Sequence, residues 1–274
     1  MTALQKVIKY LAIAFAVFLV VSIVSGILSA VRLLGGFAPG DAVADEVKTY
    51  SVTNQIHDLN IRINAADLCI KEGETFLVES NLKHLKVQEK DGVLNVEETT
   101  KFSRTYNGAV LTVYVPAETI FDRAVLVTGA SRLTVDTLSA DVLELELGAG
   151  EVSVGYLSAQ KYANIEGGAG RVTVSDGALR ELDLEMGVGQ LNLTAALTGE
   201  CELDLGVGES NITLIGEQDD YRLDLEKGLG TITVDGKQVS DPGSSGNGPN
   251  SVEINGGVGA VRVTFTHKTE DTDA

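Results

Sequence analysis

The residues best suited to chemistry in this sequence are carboxylates that recur at two alternating positions of a repeated strand. One position holds Glu146, Glu166, Glu185, Asp204, Glu226 and Asn255. The other holds Glu144, Asn164, Asp183, Glu202, Asp224 and Glu253. Carboxylate oxygens are hard ligands that suit Ca²⁺, and a row of them also attracts cationic groups.

We therefore expect these acids to form a face that binds divalent cations weakly or that meets a cationic partner. The acids predicted to contribute are Glu144, Glu146, Asp183, Glu185, Glu202, Asp204, Asp224 and Glu226. The alternative interpretation is a solvated face that only keeps the protein soluble. A melting temperature that is unchanged by millimolar Ca²⁺ would exclude the hypothesis that this face binds divalent cations.

Catalysis is not predicted from these acids, because an evenly repeated acid is typical of a ladder rather than of a catalytic pair. His57, His84 and His267 lie outside the regular repeat, and Trp is absent. The glycine pairs lack the third glycine and the following helix of a dinucleotide-binding loop. The chain is therefore predicted to be no enzyme and to need no cofactor, and a carbohydrate-active β-helix enzyme is the less favoured alternative.

A repeat of about 19 residues positions the carboxylates, and LELELGAGEVSV at residues 143–154 is one copy of it. The copy reads as a strand of alternating Leu and acid, a Gly-Ala-Gly corner and a second strand with Val at alternate positions. Glycine pairs recur at 148/150, 168/170, 187/189, 206/208, 228/230 and 257/259, after a degenerate copy at 129/131. This repeat predicts an all-β fold, a parallel β-solenoid of about seven coils stacked in sequence order, in which Phe265 at the end of the last strand helps to close the open end.

The alternation also predicts which side chains enter the core. Leu143, Leu145 and Leu147 share one parity, and the residue between the two glycines continues it. After the second glycine the parity changes to that of Val152 and Val154, and such a change requires a bend. The glycine pairs are therefore interpreted as corners, where glycine supplies the backbone freedom.

Residues 11–34 are predicted to form a transmembrane helix, because residues 11–31 are uncharged and long enough to cross a bilayer. Basic residues precede the helix, so residues 1–10 are expected in the cytoplasm and the rest of this single-pass protein outside it. A cleaved signal peptide is the alternative. Ser22, Gly26 and Ala30 lie four apart on one helix face, a small-residue pattern that predicts self-association in the membrane.

The remaining chain divides into a linker at 35–50, an extracytoplasmic domain at 51–266 and a polar tail at 267–274. Within the domain, residues 51–123 form a less regular β part and residues 124–266 hold the repeats. Residues 241–250 read as an inserted flexible loop that leaves the stack. The net charge of −18 disfavours nucleic acid as a partner. Cys69 and Cys201 could pair only if the fold brings them together.

These features together resemble a bacterial family of β-strand-repeat domains of unknown function that are described as putative adhesins. The resemblance rests on LNIRINAADLCI at 59–70, VYVP at 113–116 and the tandem LxLxxGxGxVxV units, and it covers about residues 56–265. It implies an envelope-associated protein with one N-terminal anchor and no catalytic residues to carry over. It favours an interaction module, adhesin-like or scaffolding, with a protein or cell-surface partner. The alternative is an accessory or sensor protein of a cell-envelope stress system.

Overall fold

The structure is a computed structural model that describes residues 43–99, 108–240 and 242–267. The predicted transmembrane helix, with Ser22, Gly26 and Ala30, lies outside the described residues, as does most of the predicted tail. Among the residues that are described, none belongs to a helix long and apolar enough to cross a membrane.

The described residues form β-strands and one short 3₁₀ helix, Gln218–Asp220. The strands before the repeat are β1 (Val43–Ser51), β2 (Asp58–Ile63), β3 (Asp67–Gly73), β4 (Leu77–Leu82), β5 (Leu85–Lys90), β6 (Val93–Glu98) and β7 (Val110–Pro116). The strands of the repeat region are β8 (Ile120–Arg180), β9 (Leu182–Thr198), β10 (Glu200–Ile215), β11 (Tyr221–Lys227), β12 (Thr231–Val234), β13 (Lys237–Gln238), β14 (Gly243–Ser245) and β15 (Asn250–Thr266). The 61 residues of β8 bend at each glycine corner, so this one strand passes through several coils.

Successive coils stack in parallel and in register. Strand β8 pairs with β9, and β9 pairs with β10, through their whole corners, so that Gly189 lies opposite both Gly170 and Gly208. Each coil cannot bury its apolar row alone, and stacking buries the rows of all coils together. The prediction of an all-β fold built mainly from parallel, solenoid-like strands is confirmed.

The core contains the side chains that the alternation predicts, with one exception. Leu143, Leu145 and Leu147 are buried before the corner, and Val152 and Val154 are buried after it. The prediction that the residue between the two glycines joins this row is wrong. That position is exposed in successive coils, with relative exposures of 53% for Val188, 43% for Val207 and 38% for Val258. The residue points away from the core because the chain bends on both sides of it.

Both glycines of each corner are needed for the close approach of neighbouring coils. A Cβ atom at Gly206 would lie 2.1 Å from the carbonyl oxygen of Gly187, and one at Gly208 would lie 1.7 Å from that of Gly189. Gly208 also has a φ of +147°, a value that residues with side chains rarely adopt. The interpretation of the glycine pairs as corners is confirmed, and the corners exclude side chains for steric as well as conformational reasons.

The coils are not stacked in sequence order at the C-terminal end, so that prediction is wrong. The last strand, β15, lies between β10 and β11, and it is parallel to both. Phe265 therefore does not close the stack, and its ring packs against the buried Tyr221 with centroids 5.9 Å apart. The coil of β11 and β12 follows β15 in the stack. On its other side, β11 pairs with β14 and β12 pairs with β13, both in the antiparallel direction. The prediction that residues 241–250 form a loop that leaves the stack is also wrong. Within this insertion, Gly243–Ser245 form β14, which pairs with β11.

The N-terminal half extends the same stack at the other end. Strand β2 lies between β6 and β8, and β3 lies between β7 and β8, all in parallel. The turn between β2 and β3 contains Asn64, whose carbonyl accepts a hydrogen bond from the Ala130 amide at 2.7 Å. Antiparallel strands edge this end too, since β5 pairs with β6 and β4 pairs with β7.

Candidate functional site

The acids of the repeat form two adjacent columns that run along the stack. We call the column next to the first glycine the groove acids: Glu146, Glu166, Glu185, Asp204 and Glu226. Glu166 lies opposite Glu185, and Glu185 lies opposite Asp204, in consecutive coils. Because β15 is inserted between β10 and β11, Asn255 follows Asp204 in this column and separates it from Glu226.

The second column lies two residues earlier in each strand, and we call its members the outer acids: Glu144, Asp183, Glu202, Glu253 and Asp224. Asp183 lies opposite Glu202, Glu202 lies opposite Glu253, and Glu253 lies opposite Asp224. Four acids are therefore stacked without interruption at a spacing of about 4.8 Å. The inserted strand places Glu253 between Glu202 and Asp224, so the order of these acids differs from their order in the sequence while their number stays the same.

A concave groove follows the groove acids along the stack. It has a volume of about 1040 Å³ and is lined by all five groove acids, by Lys227 and by the first glycines of the corners. The groove arises because the chain bends at the first glycine, where no side chain fills the space. The carboxylates therefore stand along one wall above exposed peptide backbone.

Few cations compensate the charge of these columns. The Nη2 atom of Arg123 donates to both carboxylate oxygens of Glu144, at 2.6 and 2.8 Å. An amide compensates Asp204, since Nδ2 of Asn255 donates to it at 2.9 Å. In the part of the chain that the structure describes, neither Glu166 nor Glu185 forms a salt bridge with a Lys or Arg.

Repulsion within the columns is visible at Glu202. The pKa of its carboxyl is raised above the ordinary value, chiefly by the charge of Asp204, then by burial and by Glu253 and Asp183. Like charges in direct register destabilise a sheet, so the columns oppose folding at neutral pH. A cationic ligand, a lower pH or a higher salt concentration would relieve this repulsion.

The strand after the corner presents a different surface, on which charges are paired. Nη1 of Arg171 donates to Glu151 at 3.0 Å, and its Nε donates to Gln190 at 3.1 Å. Arg262 lies 3.7 Å from Glu209 on the same surface. The excess of negative charge is therefore concentrated along the groove rather than spread over the repeat.

The columns do not bring three carboxylates to one point in the described chain. There, the group of metal-ligand side chains that does converge consists of His57, Asp58 and Asp122. Sequence reasoning missed this group, because no spacing in the sequence relates His57 to Asp122. Cys69 and Cys201 do not pair with each other, since both thiols are free. Burial raises the pKa of the Cys201 thiol, which makes it less reactive.

The comparison with protein families identifies the type of domain. The sequence model of a family described as Toastrack DUF4097 matches residues 56–264. No curated protein matches the chain.

Several solved structures are similar at low identity. One is a putative cell adhesion protein from Clostridium sporogenes, 14% identical, with 81% of this chain and 99% of that chain covered and a TM-score of 0.35. Another is a putative adhesin from Bacteroides fragilis, 10% identical, with coverages of 80% and 98% and a TM-score of 0.39. A third is a putative adhesin from Parabacteroides distasonis, 12% identical, with coverages of 84% and 100% and a TM-score of 0.37.

Proposed function

The chain belongs to the Toastrack DUF4097 family, and from this premise we propose that it is a non-catalytic, adhesin-like interaction module whose acidic groove binds an extended cationic segment of a protein partner. The proposal includes the predicted helix at 11–34 as a membrane anchor, with the β-domain outside the cytoplasm. The observation that carries the proposal is the column of groove acids, stacked in register along one wall of the groove.

The charge distribution supports a ligand rather than solubility alone. A surface that serves only solubility mixes charges of both signs, as the strand after the corner does. The groove acids instead repeat one sign at intervals of about 4.8 Å, along a concave surface that an extended chain can follow. Lys and Arg side chains of such a partner would supply the cations that Glu166 and Glu185 lack in the described structure.

A cationic partner fits the groove better than Ca²⁺ does. Calcium takes about six to eight oxygen ligands, which must converge on one point. The acids of the two columns run parallel to each other, and within the described residues no three of them converge. Flexible basic side chains can meet such a row one carboxylate at a time.

The proposal is tested by the binding of a fluorescent Arg-rich peptide, measured by anisotropy, with a Gln-rich peptide of equal length as the control ligand. The double variant Glu166→Gln and Glu185→Gln removes two groove charges. Its matched control, Glu97→Gln with Asp219→Asn, removes two exposed charges elsewhere. We expect the groove variant to bind about five- to tenfold more weakly, since each exposed pair contributes up to about 1 kcal/mol, and the control to bind almost normally.

The salt and metal dependence of the same assay separates the alternatives. Binding to the groove weakens as salt screens the charges. Equal losses in both double variants would show that net charge alone attracts the peptide, and would refute the groove as the site. A melting temperature that rises with millimolar Ca²⁺ in the unaltered protein, but not in the groove variant, would instead favour the hypothesis that the groove binds divalent cations.

A further inference from the structure

His57, Asp58 and Asp122 form a compact group where β2 begins beside the start of β8. The Nδ1 atom of His57 lies 3.4 Å from Oδ2 of Asp58 and 3.7 Å from Oδ2 of Asp122. One potential ligand atom from each of the three residues lies within 4.8 Å of the other two. The parallel pairing of β2 with β8 creates this group, and the groove plays no part in it.

The backbone around this group is held by the stack. The His57 amide donates to the carbonyl of Gly92 at 2.9 Å, and the Asp122 amide donates to the carbonyl of His57 at 2.7 Å. Next to Asp122, the buried Phe121 packs against Phe76 with ring centroids 6.1 Å apart. The three side chains thus project from backbone that is fixed by ladder hydrogen bonds and by the core.

Gly92 determines where the imidazole lies. A Cβ atom at position 92 would lie 2.0 Å from Nε2 of His57, so the ring occupies space that only glycine leaves open. With Nε2 against Gly92, the other ring nitrogen, Nδ1, faces the two carboxylates. The position of the ring is therefore built into the turn between β5 and β6.

The distances in this group match the edges of a metal site better than hydrogen bonds. Hydrogen bonds from nitrogen to oxygen have lengths of about 2.7 to 3.2 Å. Ligands at about 2.1 Å from a tetrahedral metal ion lie about 3.4 Å from one another. Both distances from Nδ1 are longer than a hydrogen bond, whereas a bound cation between the three groups would attract the imidazole nitrogen and both carboxylates.

We propose that His57, Asp58 and Asp122 bind a divalent transition-metal ion of the Zn²⁺ type. A ligand set of one imidazole nitrogen and two carboxylates suits Zn²⁺, while Ca²⁺ and Mg²⁺ take oxygen ligands. Three protein ligands leave a fourth position for water or for a group from a partner. The nearby cations make their hydrogen bonds to other acids, since Arg123 donates to Glu144 and Lys161 donates to Asp141 at 2.7 Å, and Lys161 acts on Asp122 only through its charge.

The first test is calorimetric titration of the full-length, EDTA-treated protein with Zn²⁺. We expect one ion per chain, and His57→Ala and Asp122→Asn should each weaken binding about tenfold or more, as loss of a ligand does. The matched controls are His84→Ala and Asp136→Asn, which alter exposed residues outside the group and should bind normally. Absence of stoichiometric binding, or equal affinity in His57→Ala, would overturn the proposal.

A second test uses the steric role of Gly92. Gly92→Ala keeps all three ligands but displaces the imidazole, so it should lose Zn²⁺ affinity as His57→Ala does. Gly236→Ala is its control, because Gly236 has nearly the same φ, +74° against +76°, and nothing within 4 Å of its added Cβ. Equal Zn²⁺ affinity in these two folded variants would contradict the geometry. The groove variant should keep full Zn²⁺ affinity, which separates this proposal from that of the groove.

Discussion

Replacement of Gly208 by alanine should separate the coils of the solenoid at one corner. The added Cβ atom would lie 1.7 Å from the carbonyl oxygen of Gly189, and Cβ contacts below 3.0 Å essentially do not occur. The distance between the coils of Gly208 and Gly189 must therefore increase by more than a quarter of the usual coil spacing of about 4.8 Å. Such a displacement cannot be absorbed by a side chain, because the obstructing atom belongs to the backbone.

The magnitude follows from the contacts that this displacement breaks. Loss of about three interstrand hydrogen bonds costs about 3 kcal/mol of net stability. The φ of +147° at Gly208 adds about 1 to 2 kcal/mol of strain for alanine. The free energy of unfolding should fall by about 4 to 5 kcal/mol, a large part of the roughly 5 to 15 kcal/mol that is typical of a domain.

Urea denaturation followed by far-ultraviolet circular dichroism measures this loss of stability. Two control variants separate the contribution of the backbone φ from that of the steric clash. Gly236→Ala has the positive φ without the clash and should cost about 1 to 2 kcal/mol. Gly206→Ala has the clash, at 2.1 Å from Gly187, without the positive φ, and should cost about 3 kcal/mol. If Gly208→Ala costs no more than Gly236→Ala, the close approach of the coils is not what selects glycine.

Three further predictions concern charge and burial in the stack. The raised pKa of Glu202 means that the folded state binds its proton more readily than the unfolded state, so stability falls as pH rises between the ordinary and the raised value. Glu202→Gln should therefore raise the melting temperature at pH 7 and flatten its pH dependence, and an unchanged profile would count against the repulsion. Asn255→Asp replaces the amide that donates to Asp204 by a like charge, and should cost about 1 to 2 kcal/mol in urea titrations at low salt, an effect that high salt reduces. Tyr221→Phe removes the hydrogen bond from the phenol to the Ile215 carbonyl at 2.6 Å, and should cost about 1 to 2 kcal/mol, whereas a thermal melt identical to that of the unaltered protein would contradict it.

Charge alternation in the repeat predicted which carboxylates share a face, but not their order. Every coil presents the same hydrogen-bonding edge, so the sequence does not say which coil pairs with which. In the structure, β15 is inserted before β11, and Asn255 therefore interrupts the groove acids while Glu253 takes a place between Glu202 and Asp224 among the outer acids. The electrostatics of the candidate site depend on this non-local pairing.

The sequence predicted that the chain bends at the glycine pairs, but not the direction of the residue between the two glycines. The glycine pairs indicated bends, because glycine alone tolerates such backbone freely. The direction of the residue between them was predicted wrongly, since a strand's alternation does not continue through a double bend. Val188, Val207 and Val258 are exposed for this reason.

The sequence by itself determined the strand type, the core-facing residues outside the corners and the position of each corner, because these follow from period-two alternation and from the conformational freedom of glycine, which are local properties. Only the tertiary structure decided the order of the coils, the antiparallel strands at both ends and the meeting of His57 with Asp122. These depend on which strand edges pair across long stretches of chain. Pairing of that kind is selected by the packing of the whole stack, and the coils are too alike for any one of them to specify its neighbour.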